Sequence, residues 1–138
     1  MLIIVHALWG LALATHTRNI VLLLLGGIGG HILLDAIPHR DLTTTGQVLI
    51  DITTATTIFI VISRIYSLPP LFAWAVLFST FPDIDVAFNY YGIWKRAQFP
   101  SHFPTWHGLL ASPYGELINL IAGLVLLGVF LRGIKNLS

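Results

Sequence analysis

Long apolar runs, broken at a few places by clusters of polar residues, organise this chain. Five such runs stand out, at about residues 2–16, 19–37, 46–64, 68–82 and 109–131. A helix that crosses a bilayer needs about 20 apolar residues, with a range of about 17–25. The second, third and fifth runs meet that length, and the first and fourth are short. The fourth opens with Pro69 and Pro70, tolerated in a first helical turn, and stops at Phe-Pro-Asp-Ile-Asp, where Pro82 and two acids end it. The pattern predicts an all-α integral membrane bundle of about five transmembrane helices, one domain over residues 1–138. The connection at about 83–108 is rich in aromatic residues and proline. It is expected to lie at the membrane interface, where aromatic side chains concentrate.

Composition strengthens that reading. Hydrophobic residues make up 56% of the chain and charged residues 9%, against about 25% charged in soluble domains. The net charge of +1 comes without a basic run or face, so nucleic acid is excluded as a partner. The absence of cysteine excludes disulfides, thiolate zinc sites and cysteine nucleophiles. No Gly-x-Ser-x-Gly elbow supports a serine esterase. The N-terminal run lacks a positive flank and is interrupted by His6, so it reads as a retained first helix and not as a signal peptide. Gly26 and Gly30 form a small-xxx-small pattern, which lets a neighbouring element approach closely in lipid.

Threading five helices assigns the ionisable residues to membrane faces. With the N-terminus on side A, His6, His31, Asp35, His39, Asp41, Asp51, Asp83, Asp85, His102 and His107 all fall on side A, and Glu116 lies at the side-A start of the last helix. Side B receives His16, Arg18, Arg64, Arg132 and Lys135. Random placement would scatter the acids between the faces.

Each group also has a plain structural explanation. A single intramembrane histidine is more often packed and hydrogen-bonded than a ligand. Asp51 near a helix start suits a cap or dipole partner, Pro-Asp-Ile-Asp suits a turn, and His102 and His107 suit a polar loop. None of these explains why every acid shares one face. His31 and Asp35 are four residues apart and share a helical face, which His39 continues if Pro38 only kinks the helix. Carboxylates gathered in an apolar setting repel one another and are costly to ionise. A divalent cation removes both costs, and histidine with aspartate is a ligand set of zinc, manganese and iron.

An early His6, then His-Ile-Leu-Leu-Asp-Ala-Ile-Pro-His-Arg-Asp, then Phe-Pro-Asp-Ile-Asp, then Ser-His-Phe-Pro-Thr-Trp-His form an ordered set over nearly the whole chain. That set resembles the YdjM-type membrane-bound metal-dependent hydrolases of bacteria and archaea. The group is itself distantly similar to the zinc-dependent phospholipase C and single-strand nuclease superfamily. The resemblance implies metal-dependent hydrolysis of a phosphoester in a prokaryotic membrane. Many relatives carry His-Arg and then Thr-His-Ser in the late loop, so only His102 and His107 carry over there.

The sequence thus points to one or more divalent ions, zinc first and manganese or iron after it. The expected ligands are His6, His31, Asp35, His39, Asp83, Asp85, His102 and His107, with Asp51 or Asp41 as general base or supporting carboxylate. Arg40, with Lys95 and Arg96, would contact a lipid phosphate. The expected partners are the bilayer and a lipid or lipid-linked phosphoester, with a homo-oligomer left open. Cation or proton transport is an alternative, although side B offers little polarity beyond Thr53–Thr57. A structural bundle fixed by metal is another. Four basic residues on side B against three on side A lean the site toward the extracytoplasmic face.

Overall fold

A continuous apolar run satisfies its backbone most completely as a helix, because every N–H and C=O bonds within the segment. The computed structural model describes residues 1–42, 44–96, 98–99, 102 and 113–136. Six helices occur among them: α1 (Ile3–Ala14), α2 (Ile20–Ala36), α3 (Thr45–Tyr66), α4 (Leu71–Thr80), α5 (Asp83–Tyr90) and α6 (Tyr114–Lys135). No strand appears among the described residues. Local chemistry sets several boundaries. The Asn19 side chain accepts from the N–H groups of Val21 and Leu22 and starts α2. Thr44 and Gln47 form a reciprocal capping box at the start of α3. Ser67 ends α3 in the left-handed region, with φ 49°, just before Pro69 and Pro70.

The short α1 is the centre of the bundle, packed against α2, α3, α4 and α6. Its apolar residues are buried on nearly every side, Val5, Leu8, Leu11 and Ala14 among them. Close approach depends on glycine. A Cβ on Gly10 would lie 2.5 Å from the carbonyl oxygen of Ala75, and one on Gly27 would lie 3.0 Å from the α4 backbone at Phe78. Gly30 leaves room for the Trp9 indole, whose Nε1–H donates to the Gly26 carbonyl at 2.9 Å. The glycine-rich stretch is therefore a packing surface for both an α1 side chain and the α4 backbone.

The exterior of the bundle is apolar. Leu25, Leu33, Ile50, Ile65, Leu120 and Leu124 are all exposed, while His6, His31, Asp35, His39 and Asp85 are buried. This inverts the usual soluble arrangement. Two helices, α3 and α6, are long and apolar enough to cross a membrane, and a third span results if α4 and α5 count as one bent unit. At 12 residues α1 is shorter than a span, and α2, with 17, sits at the lower limit.

Two boundaries differ from the sequence reading. Asp83 does not begin a loop: the chain bends by 48° at Phe81–Pro82 and continues as α5. Proline is accepted at a helix start, and Asp83 and Asp85 favour the positive end of the helix dipole. The last helix begins at Tyr114, after Pro113, and runs to Lys135.

Candidate metal centre

Three elements and one following residue build the site. The first turn of α1 supplies His6. The last turns of α2 supply His31 and Asp35 from one face. The first turn of α5 supplies Asp83 and Asp85, and His102 follows it. His6, His31, Asp35 and Asp85 are fully buried, His102 has a side chain 7% exposed, and Asp83 is partly exposed at 18%.

Asp35 is the hub. Its Oδ1 lies 3.1 Å from His6 Nε2 and 2.7 Å from the α-amino group of Met1. Its Oδ2 lies 3.1 Å from His31 Nε2 and 3.5 Å from His102 Nε2. Asp83 Oδ1 stands 3.8 Å from each of those two Nε2 atoms. The His6 and His31 rings stack with centroids 3.8 Å apart.

The second nitrogen of each imidazole fixes which way the first presents itself. His31 Nδ1 is 2.8 Å from the Ser79 carbonyl, which can only accept, so Nδ1 carries the proton. His102 Nδ1 is 3.3 Å from Asp85 Oδ2 and donates to it. Asp85 Oδ2 is itself held by the N–H groups of Gln98 and Phe99, at 2.7 and 2.8 Å. In the neutral tautomers both Nε2 atoms therefore aim lone pairs at the carboxylate oxygens of Asp35 and Asp83. Lone pairs facing anionic oxygens repel unless a cation or a proton stands between them.

The donor set fits a divalent cation. Ligands of a tetrahedral zinc ion, at about 2.0–2.1 Å from the metal, stand roughly 3.3–3.4 Å from each other, and the separations here are 3.1–3.8 Å. Two overlapping trios bring one ligand atom each within 4.8 Å of the others: His6, His31 and Asp83, and His31, Asp35 and His102. Seven buried side-chain atoms among the described residues lack a hydrogen-bond partner, and five belong to this cluster. They are His6 Nδ1, His31 Nε2, Asp35 Oδ2, Asp83 Oδ2 and Asp85 Oδ1. Buried polar atoms are normally satisfied, so their gathering at one place is informative. Burial pushes the pKa of His102 down. The surrounding carboxylates of Asp35, Asp83 and Asp85 outweigh burial and leave it raised.

No family model, curated protein or solved structure matches this chain. The site must therefore be interpreted from its own geometry.

Other residues expected at the site lie beside it. Pro38 ends α2 and does not merely kink it: Ile37 is extended, at φ −72° and ψ 130°, as the residue before a proline prefers. His39 thereby leaves the His31–Asp35 face. It is buried with Nδ1 on the Ile37 carbonyl at 2.7 Å and Nε2 on Asp41 Oδ1 at 2.9 Å, and it belongs to neither trio. Asp51 accepts from the backbone N–H of Ile3 at 2.7 Å and of Ile4 at 3.4 Å, so it caps α1, a different helix from its own. Arg40 pairs with Glu116 away from the cluster. Lys95 and Arg96 are exposed beyond α5. His107 lies outside the described residues.

Two contributors carried no signal in the sequence. The Ser79 carbonyl and the Gln98 and Phe99 N–H groups orient His31 and Asp85 through backbone atoms, which leave no residue-type signature. A cavity of about 400 Å³ borders the cluster, lined by Asp83, His102 and Asp51 and by the apolar Ile3, Val48 and Val86.

Proposed function

We propose that this chain is a membrane-embedded, metal-dependent hydrolase acting on a phosphoester of a lipid or lipid-linked molecule. The observation that carries the reading is the aim of His31 Nε2 and His102 Nε2 at the carboxylate oxygens of Asp35 and Asp83, with both Nδ1 atoms tied off. His31, Asp35, Asp83 and His102 would hold the ion, with His6 at the edge of the set. Zinc is the first expectation, ahead of manganese and iron. A divalent ion supplies Lewis acidity at a phosphoryl oxygen and a source of hydroxide near neutral pH.

The chain's own groups do the rest. Ser79 and Asp85 hold the two imidazoles in the ligating tautomer, the role that hydrogen-bond partners of metal-bound histidines usually play. Asp51 fixes the start of α1 and so the position of His6, one turn on. Ile3, Val48 and Val86 line the neighbouring cavity together with Asp83 and His102. That combination suits a substrate whose polar end meets the ligands while its hydrocarbon lies on the wall. In this reading all five apolar runs traverse the bilayer, with α1 shielded by its neighbours and α4–α5 acting as one bent span. The resemblance to YdjM-type hydrolases points the same way.

Release of phosphorylated head group from phospholipid vesicles, by detergent-purified protein supplied with zinc or manganese, tests the proposal. Asp83→Ala and His102→Ala should abolish release. If wild-type protein holds metal but releases nothing from any phospholipid, the metal serves only to join α1, α2 and α5.

A further inference from the structure

Thr53, Thr54, Thr56 and Thr57 stand in the middle of α3, and all four are exposed. The outside of this helix is otherwise hydrocarbon, with Leu49 56% and Ile60 52% exposed. A hydroxyl facing hydrocarbon without a hydrogen-bond partner is costly. A helical threonine can avoid that cost by turning to the carbonyl four residues back. Thr80 on α4 does so, donating to Val76 at 3.0 Å. The threonines at 53–57 do not: among the described residues their hydroxyls have no partner. Nor do they line the cavity beside the metal cluster.

Their placement on the helix is ordered. α3 packs chiefly on α1, through the side that carries the buried Asp51 and Ala55. At about 3.6 residues per turn, Thr53 and Thr56 fall on the opposite side, in line with Gly46, Leu49 and Ile60. The intervals along that line are three, four, three and four residues, the spacing of a seam between two helices that pack knobs into holes. Nothing in the chain covers the seam. A Cβ on Gly46 would meet no atom within 4 Å. Of the most apolar stretch of α3 only 11% is buried, against 22% for α6.

We infer that this face of α3 is where two copies of the chain pair in the membrane. An acyl chain offers neither donor nor acceptor, so lipid leaves the hydroxyls unpaired. A threonine hydroxyl both donates and accepts, so the face complements itself. Copies inserted in the same direction bring α3 to α3 in parallel about a twofold axis, with Thr53 and Thr56 of each set against their own counterparts. Helices in lipid associate through close packing and hydrogen bonds of this kind, since hydrocarbon outside the pair is as apolar as the leucines within it. The inference concerns α3 alone and holds whatever the metal cluster does.

The chain has no cysteine, so single cysteines report contacts without background. Full-length protein carrying Leu49→Cys, Thr53→Cys, Thr56→Cys or Ile60→Cys, in phosphatidylcholine vesicles oxidised with copper phenanthroline, should form a disulfide-linked dimer. Val61→Cys on the flank of α3 and Leu124→Cys on α6, both exposed, should link far less. The double variant Thr53→Val with Thr56→Val keeps the shape of the seam and removes its hydroxyls. It should weaken the dimer roughly eightfold, about threefold for each bond lost, when energy transfer between labelled copies is followed on dilution in lipid. Wild-type protein that shows no energy transfer in concentrated vesicles would overturn the inference without any variant having to fold. So would linking through Leu124→Cys as strong as through the seam, or a double valine variant that pairs as tightly as wild type.

Discussion

Asp85→Asn separates a carboxylate that orients a ligand from one that binds metal. Asp85 Oδ2 accepts from Gln98 N–H, Phe99 N–H and His102 Nδ1. The amide oxygen of asparagine can occupy that place and keep the two backbone bonds, so the segment after α5 stays where it is. The negative charge behind His102 is lost, and with it the added basicity of Nε2. Changes of this kind typically cost about 10–100-fold in metal affinity, or about 1.4–2.8 kcal/mol at about 1.4 kcal/mol per decade. The amide NH₂ takes the place of Oδ1, which has no partner, and an unsatisfied buried donor costs about 1–3 kcal/mol of stability. Competition with a chromophoric zinc chelator in detergent measures the first effect, and thermal unfolding the second. Asp35→Asn, which alters the hub itself, should lose zinc altogether. Zinc affinity within about threefold of wild type in Asp85→Asn, beside abolished binding in Asp35→Asn, would refute the orienting role.

Three further outcomes follow from the same geometry. Asp51→Ala should cost about 0.5–2 kcal/mol of stability, as loss of a helix cap does, while zinc stoichiometry in elemental analysis stays unchanged. Gly10→Ala should destabilise by about 1–3 kcal/mol, since its Cβ meets the Ala75 carbonyl at 2.5 Å. Gly29→Ala, with open space around it, should gain up to about 1 kcal/mol, and denaturation in mixed micelles compares the two. The third concerns pH. The raised pKa of His102 adds stability to the metal-free protein that is complete below about 6.5 and disappears as pH rises through the folded value. Zinc requires the neutral ring. The metal-free melting temperature should therefore fall as pH rises above about 6.5, while the rise caused by added zinc grows.

Much of this grouping was legible in the sequence, because acids and histidines within apolar runs are rare enough for their placement to carry information. The four-residue spacing of His31 and Asp35 is a helical face, and the sequence reading placed His6, Asp83 and His102 at the same end, where the structure brings them together. What the sequence left open was decided by local backbone. Whether Pro38 kinks or ends α2 determines whether His39 joins the ligands, and the extended conformation at Ile37 decides it. Asp51 looked like a residue serving its own helix, yet it caps α1, a relation between distant segments that no local pattern encodes. The partners of His31 and Asp85 are backbone atoms, which no residue type announces. The count of membrane crossings also depends on more than apolar length. Among the described residues, the first, second and fourth apolar runs fold into helices shorter than the runs themselves, the fourth ending where the chain bends at Pro82, and α1 is covered by protein on nearly every side.

The central claim is that the gathered imidazoles and carboxylates hold a metal ion. Elemental analysis of protein purified in detergent without chelator, then exposed to zinc, manganese or iron and desalted, tests it most directly. The account predicts at least one tightly held equivalent in the wild type, lost in Asp35→Asn and in His31→Gln. Wild-type protein that retains none of the three metals at neutral pH would contradict it.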